Sequence, residues 1–149
     1  MNFTTSETAS PSMESWYSLT NLSSHTVLVV EDEVDIRLTL DYNLRKEGYG
    51  TLLAGTGEEA IEMLKNEAVP SLILLDWMLP GMKGTEVCRQ IRSSEHPYMP
   101  ILMLTAKSTS SDRKKCFQAG ADDFITKPFL LEDLLGRIKQ QIASTVTPT

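Results

Sequence analysis

The sequence is poor in cysteine, in basic runs and in long apolar stretches, and each shortage removes a class of function. Its two cysteines, Cys88 and Cys116, stand far apart in segments of helical period, with no CxxC pair and no partner at metal-ligand spacing. Nothing supports a disulfide framework, a zinc site or a thiol redox motif, and both thiols are expected to be reduced and partly buried as small apolar groups. Basic residues number 14 against 20 acidic ones, and no Lys/Arg-rich run is present that could track a phosphate backbone. Direct nucleic-acid binding is therefore not expected. No apolar stretch approaches the length of a bilayer crossing, and the first residues lack the basic start and apolar run of a secretory signal. The expected compartment is the cytoplasm, with no membrane partner.

What is present has the size of one domain and enough apolar residues to bury a core. Residues 1–25 are rich in Ser and Thr without a sustained hydrophobic period and are expected to form a flexible extension, to which no function is assigned even though Trp16, Tyr17, Leu19 and Leu22 lie within it. The domain is expected over residues 26–143, with a short tail over 144–149. Within it, short apolar runs (Val27–Val30, Leu52–Ala54, Leu72–Leu75, Ile101–Leu104 and Phe124–Ile125) alternate with longer segments of helical period. Ile36, Leu40 and Leu44 repeat at i, i+4, as do Ala60 and Leu64, then Val87 and Ile91. The last segment has a stripe of Leu131, Leu134, Leu135, Ile138 and Ile142. Strands apolar on both faces belong in a parallel sheet covered on both sides. Five such βα units predict an α/β fold: an open, doubly wound five-stranded parallel sheet whose ligands gather at the carboxyl ends of the strands.

The residues that follow the runs carry the chemistry: Glu31 and Asp32 after the first, Asp76 after the third, Thr105 after the fourth and Lys127 past the fifth. Any one of them alone reads as a helix cap, a turn former or a solvated surface group. Together on one rim they read differently. Three carboxylates without a counter-ion repel one another, so a cation is implied. Lys127 supplies part of the positive charge, and a hard divalent ion that prefers oxygen supplies the rest; magnesium fits best and manganese is expected to substitute. No His or Cys falls at these strand ends, which leaves zinc and copper without support. A carboxylate beside such an ion, an ammonium and a hydroxyl is equipped to attack phosphorus, with Asp76 as nucleophile.

The segments Val27–Glu33, Leu74–Gly84, Leu104–Ala106 and Gly120–Phe129 closely resemble the receiver domains of bacterial two-component response regulators, in order and spacing, over about Thr26 to Gln141. The resemblance implies a flavodoxin-like fold with strand order 2-1-3-4-5 and helices on both faces. It implies that Asp76 is the phosphoacceptor, charged from a phosphohistidine on a sensor histidine kinase or phosphotransfer protein. Asp32 and Asp76 would bind Mg²⁺ directly, Glu31 through water and Met78 through its backbone carbonyl, while Thr105 and Lys127 would contact the phosphoryl oxygens. The Lys127-Pro128 step is implied to be cis, which helps aim the lysine. Phe124 takes the aromatic switch position, where Tyr is common in the family.

By the same resemblance, phosphorylation moves Thr105 toward the phosphoryl group and turns Phe124 inward, altering the surface of the fourth helix, fifth strand and fifth helix. That face is expected to include Asp112, Arg113, Lys114, Lys115, Asp122, Asp123, Glu132, Asp133 and Arg137, and to engage a downstream protein or a second copy. Several of these match the charged pattern of the winged-helix transcription-factor branch, the nearest branch, although Leu130-Leu131 stands where that branch has a Ser-Pro-type helix start. The long amino-terminal extension favours a stand-alone receiver over a piece of a DNA-binding regulator. The expected role is that of a phosphoacceptor that catalyses its own phosphotransfer and dephosphorylation, not an enzyme with a separate substrate. Met78 and Lys107 occupy places where the family tunes phosphoryl lifetime. An aspartyl-phosphate hydrolase is the weaker alternative, because such enzymes need an acid two residues beyond the nucleophile and Met78 stands there. A flavodoxin-type cofactor site would need a Ser/Thr/Gly-rich loop where Glu31-Asp32-Glu33 stands.

Overall fold

The fold is described by a computed structural model over residues 25–66 and 68–146. The expected extension over residues 1–25 lies outside the described residues except for His25, and so do residues 147–149 of the expected tail. Strands β1 (Thr26–Val30), β2 (Gly50–Ala54), β3 (Leu72–Asp76), β4 (Ile101–Thr105) and β5 (Asp123–Thr126) alternate with helices α1 (Val34–Lys46), α2 (Gly57–Lys65), α3 (Gly84–Ser93), α4 (Ser110–Ala119) and α5 (Leu131–Val146). The sheet is five-stranded in the order β2-β1-β3-β4-β5, and every neighbouring pair is parallel. The α5 helix runs on through Val146, so Ser144 and Thr145 belong to it and not to a tail after Ala143. No described helix is long and apolar enough to cross a membrane.

The alternation of side chains along each strand divides the core in two. Leu28, Val30, Ile73, Leu75, Ile101 and Met103 face one side, where they meet Ala60 and Leu64 of α2, Val87, Cys88 and Ile91 of α3, and Cys116 and Ala119 of α4. Val27, Val29, Leu72, Leu74, Leu102 and Leu104 face the other, against Leu40 and Leu44 of α1 and Leu134, Ile138 and Ile142 of α5. This double coverage is why the strands read as unbroken apolar runs. Both cysteines are free and buried, and burial pushes each thiol up to about 11.

Local signals set the helix ends that surround the site. Thr109 and Asp112 form a capping box at the start of α4, and Gly120 ends that helix at φ 112°, a left-handed conformation that suits a residue without Cβ. At the start of α3 the constraint is space. A Cβ on Gly84 would sit 2.4 Å from the Asp76 carbonyl oxygen and 2.8 Å from Trp77 Cα, so the α3 amino terminus presses directly on the end of β3.

Candidate functional site

The site begins with two carboxylates that the sheet itself buries. Beyond β1, the Glu31 amide donates to the Ala54 carbonyl at 3.0 Å, which carries the strand geometry one residue further and leaves Glu31 with no exposed surface. Asp76 is the last residue of β3 and is only 4% exposed, and the following Trp77 amide bonds the Leu104 carbonyl at 2.8 Å. Two buried carboxylates at adjacent strand ends need positive charge close by. Lys127 provides it, with Nζ 3.1 Å from Glu31 Oε1 and 3.3 Å from Asp76 Oδ1. Its backbone is pinned by a 2.7 Å bond from its own amide to the Thr105 carbonyl, and the Lys127-Pro128 peptide is cis.

These contacts set the charges. Burial raises the Glu31 carboxyl above its ordinary value and the nearby Asp76 raises it further, while the Glu33 amide at 3.1 Å from Oε2 and the Lys127 ammonium pull the other way. Burial disfavours the Lys127 ammonium, but the Asp76 and Glu31 carboxylates outweigh it and hold its pKa above the usual lysine value.

Asp32 stands exposed at the mouth, and one carboxylate oxygen from each of Glu31, Asp32 and Asp76 can be chosen so that all lie within 4.8 Å of one another. Opposite ligands of an octahedral ion with bonds of about 2.1 Å lie about 4.2 Å apart. The spacing and the all-oxygen donor set therefore suit a small hard divalent cation. A cavity of about 360 Å³ opens here, lined by Asp32, Glu33, Asp76, Met78, Ala106 and Lys127. The larger apolar hollow beside it, of about 710 Å³ between α1 and the start of α5, shares Ala106 and Lys127 but contains neither Asp76 nor Asp32.

The other sequence-expected residues take distinct places. Met78 lines the cavity, with its amide 3.3 Å from Asp76 Oδ1. Thr105 is fully buried, and its hydroxyl is occupied by the backbone of Lys107, accepting from the amide at 2.8 Å. Phe124 is 9% exposed, with Phe117 edge-on at 5.9 Å and the Arg113 guanidinium over its ring at 5.0 Å. Asp123 is held by Arg137 at 2.9 Å on the same face. Asp122 is not part of that face. Its carboxylate turns toward α3, where it binds Arg92 at 2.6 Å, the Ile101 amide at 2.8 Å and the Tyr98 hydroxyl, because the amide at the start of β4 and the Arg92 charge both lie on that side.

Sequence reasoning did not single out Arg37, Phe117 or the Glu33 amide. Arg37 sits on a helix whose apolar stripe was read for core positions, so a polar residue off that stripe reads as surface, while Phe117 lies in a segment where no apolar stripe is legible. Only the fold-back of the Arg37 side chain onto the end of β1 reveals its partners, the carbonyls of Glu31 at 2.7 Å and Asp32 at 3.4 Å.

Comparison with known proteins agrees with this geometry. The response regulator receiver domain family matches residues 27–139. A candidate response regulator from Chloroflexus aurantiacus J-10-fl is 37% identical, covers 80% of this chain and 98% of its own, and superposes with a TM-score of 0.72. The receiver domain of a sensor histidine kinase from Pseudomonas aeruginosa PAO1, solved with magnesium coordinated in its active-site cleft, is 32% identical with a TM-score of 0.73, over 80% of this chain and 98% of that one. The chemotaxis protein CheY4 of Vibrio cholerae is 30% identical with a TM-score of 0.73, over 78% and 98%. With the sheet order, the acidic rim and the family match all in agreement, this chain belongs to the receiver domains of two-component response regulators.

Proposed function

We propose that Asp76 accepts a phosphoryl group from a phosphohistidine of a sensor histidine kinase or phosphotransfer protein. The observation that carries this reading is the convergence on Asp76: a nearly buried strand-end carboxylate, 3.3 Å from the Lys127 ammonium, clustered with Glu31 and Asp32 and lining a cavity at the surface together with Asp32 and Lys127. An oxygen of Asp76 attacks phosphorus, the P–N bond to the donor imidazole breaks as the O–P bond forms, and the imidazole keeps the bonding electron pair. Lys127 neutralises charge on the phosphoryl oxygens during the transfer. Asp32 and Asp76 would hold Mg²⁺ directly, Glu31 through water and Met78 through its carbonyl, and Mn²⁺ would be accepted in its place. When bound, the ion supplies further charge neutralisation at those oxygens. Asp76 is consumed and regenerated by hydrolysis of its own acyl phosphate, so the chain acts as an acceptor and not on a separate substrate.

Switching follows from what Thr105 gives up. Its hydroxyl accepts from the Lys107 amide at 2.8 Å and donates to the Lys107 carbonyl at 3.3 Å, and a phosphoryl oxygen is a stronger, charged acceptor than that carbonyl. Reorienting Thr105 toward it frees space beneath Phe124, whose ring then leaves Arg113 and Phe117 and changes the surface of α4, β5 and α5 that a downstream protein or a second copy reads. The test is direct. Acetyl phosphate with Mg²⁺ is expected to add one phosphoryl group to the intact chain, read by mass spectrometry, and none to the Asp76→Asn variant. Equal labelling of that variant removes the assignment.

A further inference from the structure

Arg37 lies in the first turn of α1, yet its guanidinium turns Nη1 to the backbone and not to a carboxylate. Among the described residues it has no acidic partner within salt-bridge distance, and Nη1 instead donates to the Glu31 carbonyl at 2.7 Å and reaches the Asp32 carbonyl at 3.4 Å. Space is left for it on the β2 side: a Cβ on Gly55 would stand 3.2 Å from Nη1. A half-buried charge directed at two successive carbonyls is costly to desolvate unless those bonds are made well, so its placement fixes the backbone that carries them.

That backbone has few other restraints exactly where it needs them. Glu31 is secured on all sides, by the Ala54 carbonyl, the Glu33 amide and Lys127. Glu33 precedes α1 in extended conformation (φ −76°, ψ 117°) and provides no side-chain cap, although its carbonyl accepts from the Arg37 amide at 2.9 Å. Asp32 hangs between them with its carboxylate exposed and without a hydrogen bond or ion pair of its own among the described residues. The direction of that carboxylate is therefore inherited from the peptide units on either side of it, and Arg37 grips both of their carbonyls.

We propose that Arg37 is a positioning residue for the divalent-cation site, holding the Glu31-Asp32 backbone so that the Asp32 carboxylate faces Asp76 before any ion arrives. This rests on the reading of Glu31, Asp32 and Asp76 as a cation site and extends it to a residue that touches neither ion nor phosphoryl group. Two physical effects of Arg37 oppose each other, which makes the sign informative. As a bare positive charge near the site it repels a divalent ion, so its removal would tighten binding. As a clamp it preorganises a ligand, so its removal weakens binding.

The experiment is titration of the metal-free chain with MgCl₂ alone, followed by the Mg²⁺-dependent change in tryptophan fluorescence, to which Trp77 beside Asp76 contributes together with Trp16, for the wild-type chain and for Arg37→Met, Arg37→Lys and Asp32→Asn. Thermal unfolding in EDTA runs in parallel. Loss of the clamp is expected to raise the Mg²⁺ Kd of Arg37→Met about tenfold, the order set by one charge-assisted hydrogen bond. Both carbonyls are reached from the one nitrogen Nη1, so Arg37→Lys, which keeps a charged donor nitrogen on a flexible stem, is expected to recover part of the lost affinity. A Kd for Arg37→Met that is unchanged, whatever happens to its thermal midpoint, makes Arg37 merely structural and overturns the proposal. A tighter Kd for Arg37→Met makes it a matter of charge and overturns it equally. If the wild-type chain itself shows no saturable Mg²⁺ response, or Asp32→Asn responds like wild type, the cation site falls and the role of Arg37 falls with it.

Discussion

Replacing Lys127 by Met keeps most of the aliphatic stem and removes the ammonium, which isolates the electrostatic part of its role. The structure allows the cost to be worked out. Lys127 is the cation that pairs with a fully buried Glu31 at 3.1 Å and with Asp76 at 3.3 Å. Removing one partner of a buried pair costs about 3–5 kcal/mol because the other charge is left uncompensated. The Lys127 side chain is 22% exposed, so solvent screens part of that interaction, and a loss of about 2–3 kcal/mol is expected. A domain of this size is stable by about 5–15 kcal/mol, so the variant still folds. Urea unfolding in EDTA is expected to show the full loss. With Mg²⁺ at about one hundred times its Kd, binding returns about 2.7 kcal/mol to any chain that holds it, and the variant, with one positive charge fewer at the site, binds the ion more tightly. The gap between variant and wild type should therefore narrow in Mg²⁺. Identical midpoints in EDTA, or a gap that stays constant in Mg²⁺, would refute the view that Lys127 and the ion share the task of neutralising one acidic cup.

Two other perturbations test the surrounding frame. Gly84→Ala places a Cβ 2.4 Å from the Asp76 carbonyl oxygen, where backbone and not a flexible side chain must yield, so a loss of at least about 2 kcal/mol in urea unfolding is expected together with slower phosphorylation; wild-type stability would show that α3 is not pressed on β3. Asp41 on α1 is held below its ordinary 3.8 first by the Thr51 hydroxyl at 2.6 Å and then by Arg45. A depressed folded value means a stabilising contribution present above pH 3.8 and lost as pH falls through the folded value. Thr51→Val should move the Asp41 carboxyl upward in an NMR titration and reduce the acid-side loss of stability, by less than about 1 kcal/mol for so open a pair; an unmoved titration would mean that Thr51 does not hold Asp41.

The sequence determined the α/β alternation and the rim. Apolar runs such as Leu72–Leu75 are legible because a strand buried on both faces tolerates no polar position, and Glu31, Asp32, Asp76, Thr105 and Lys127 are legible because parallel strands place their carboxyl ends on a common edge. Tertiary structure alone decided the partners of each charge. That Lys127 reaches Glu31 across a separation of 96 residues, that Asp122 turns to Arg92 and away from α5, and that Arg37 folds back onto two carbonyls are matters of side-chain direction and local space. Periodicity reports which face of an element is apolar, but a long charged side chain on the polar face chooses its partner from whatever the fold brings within reach. That choice depends on desolvation and geometry between elements, which no spacing along one element encodes.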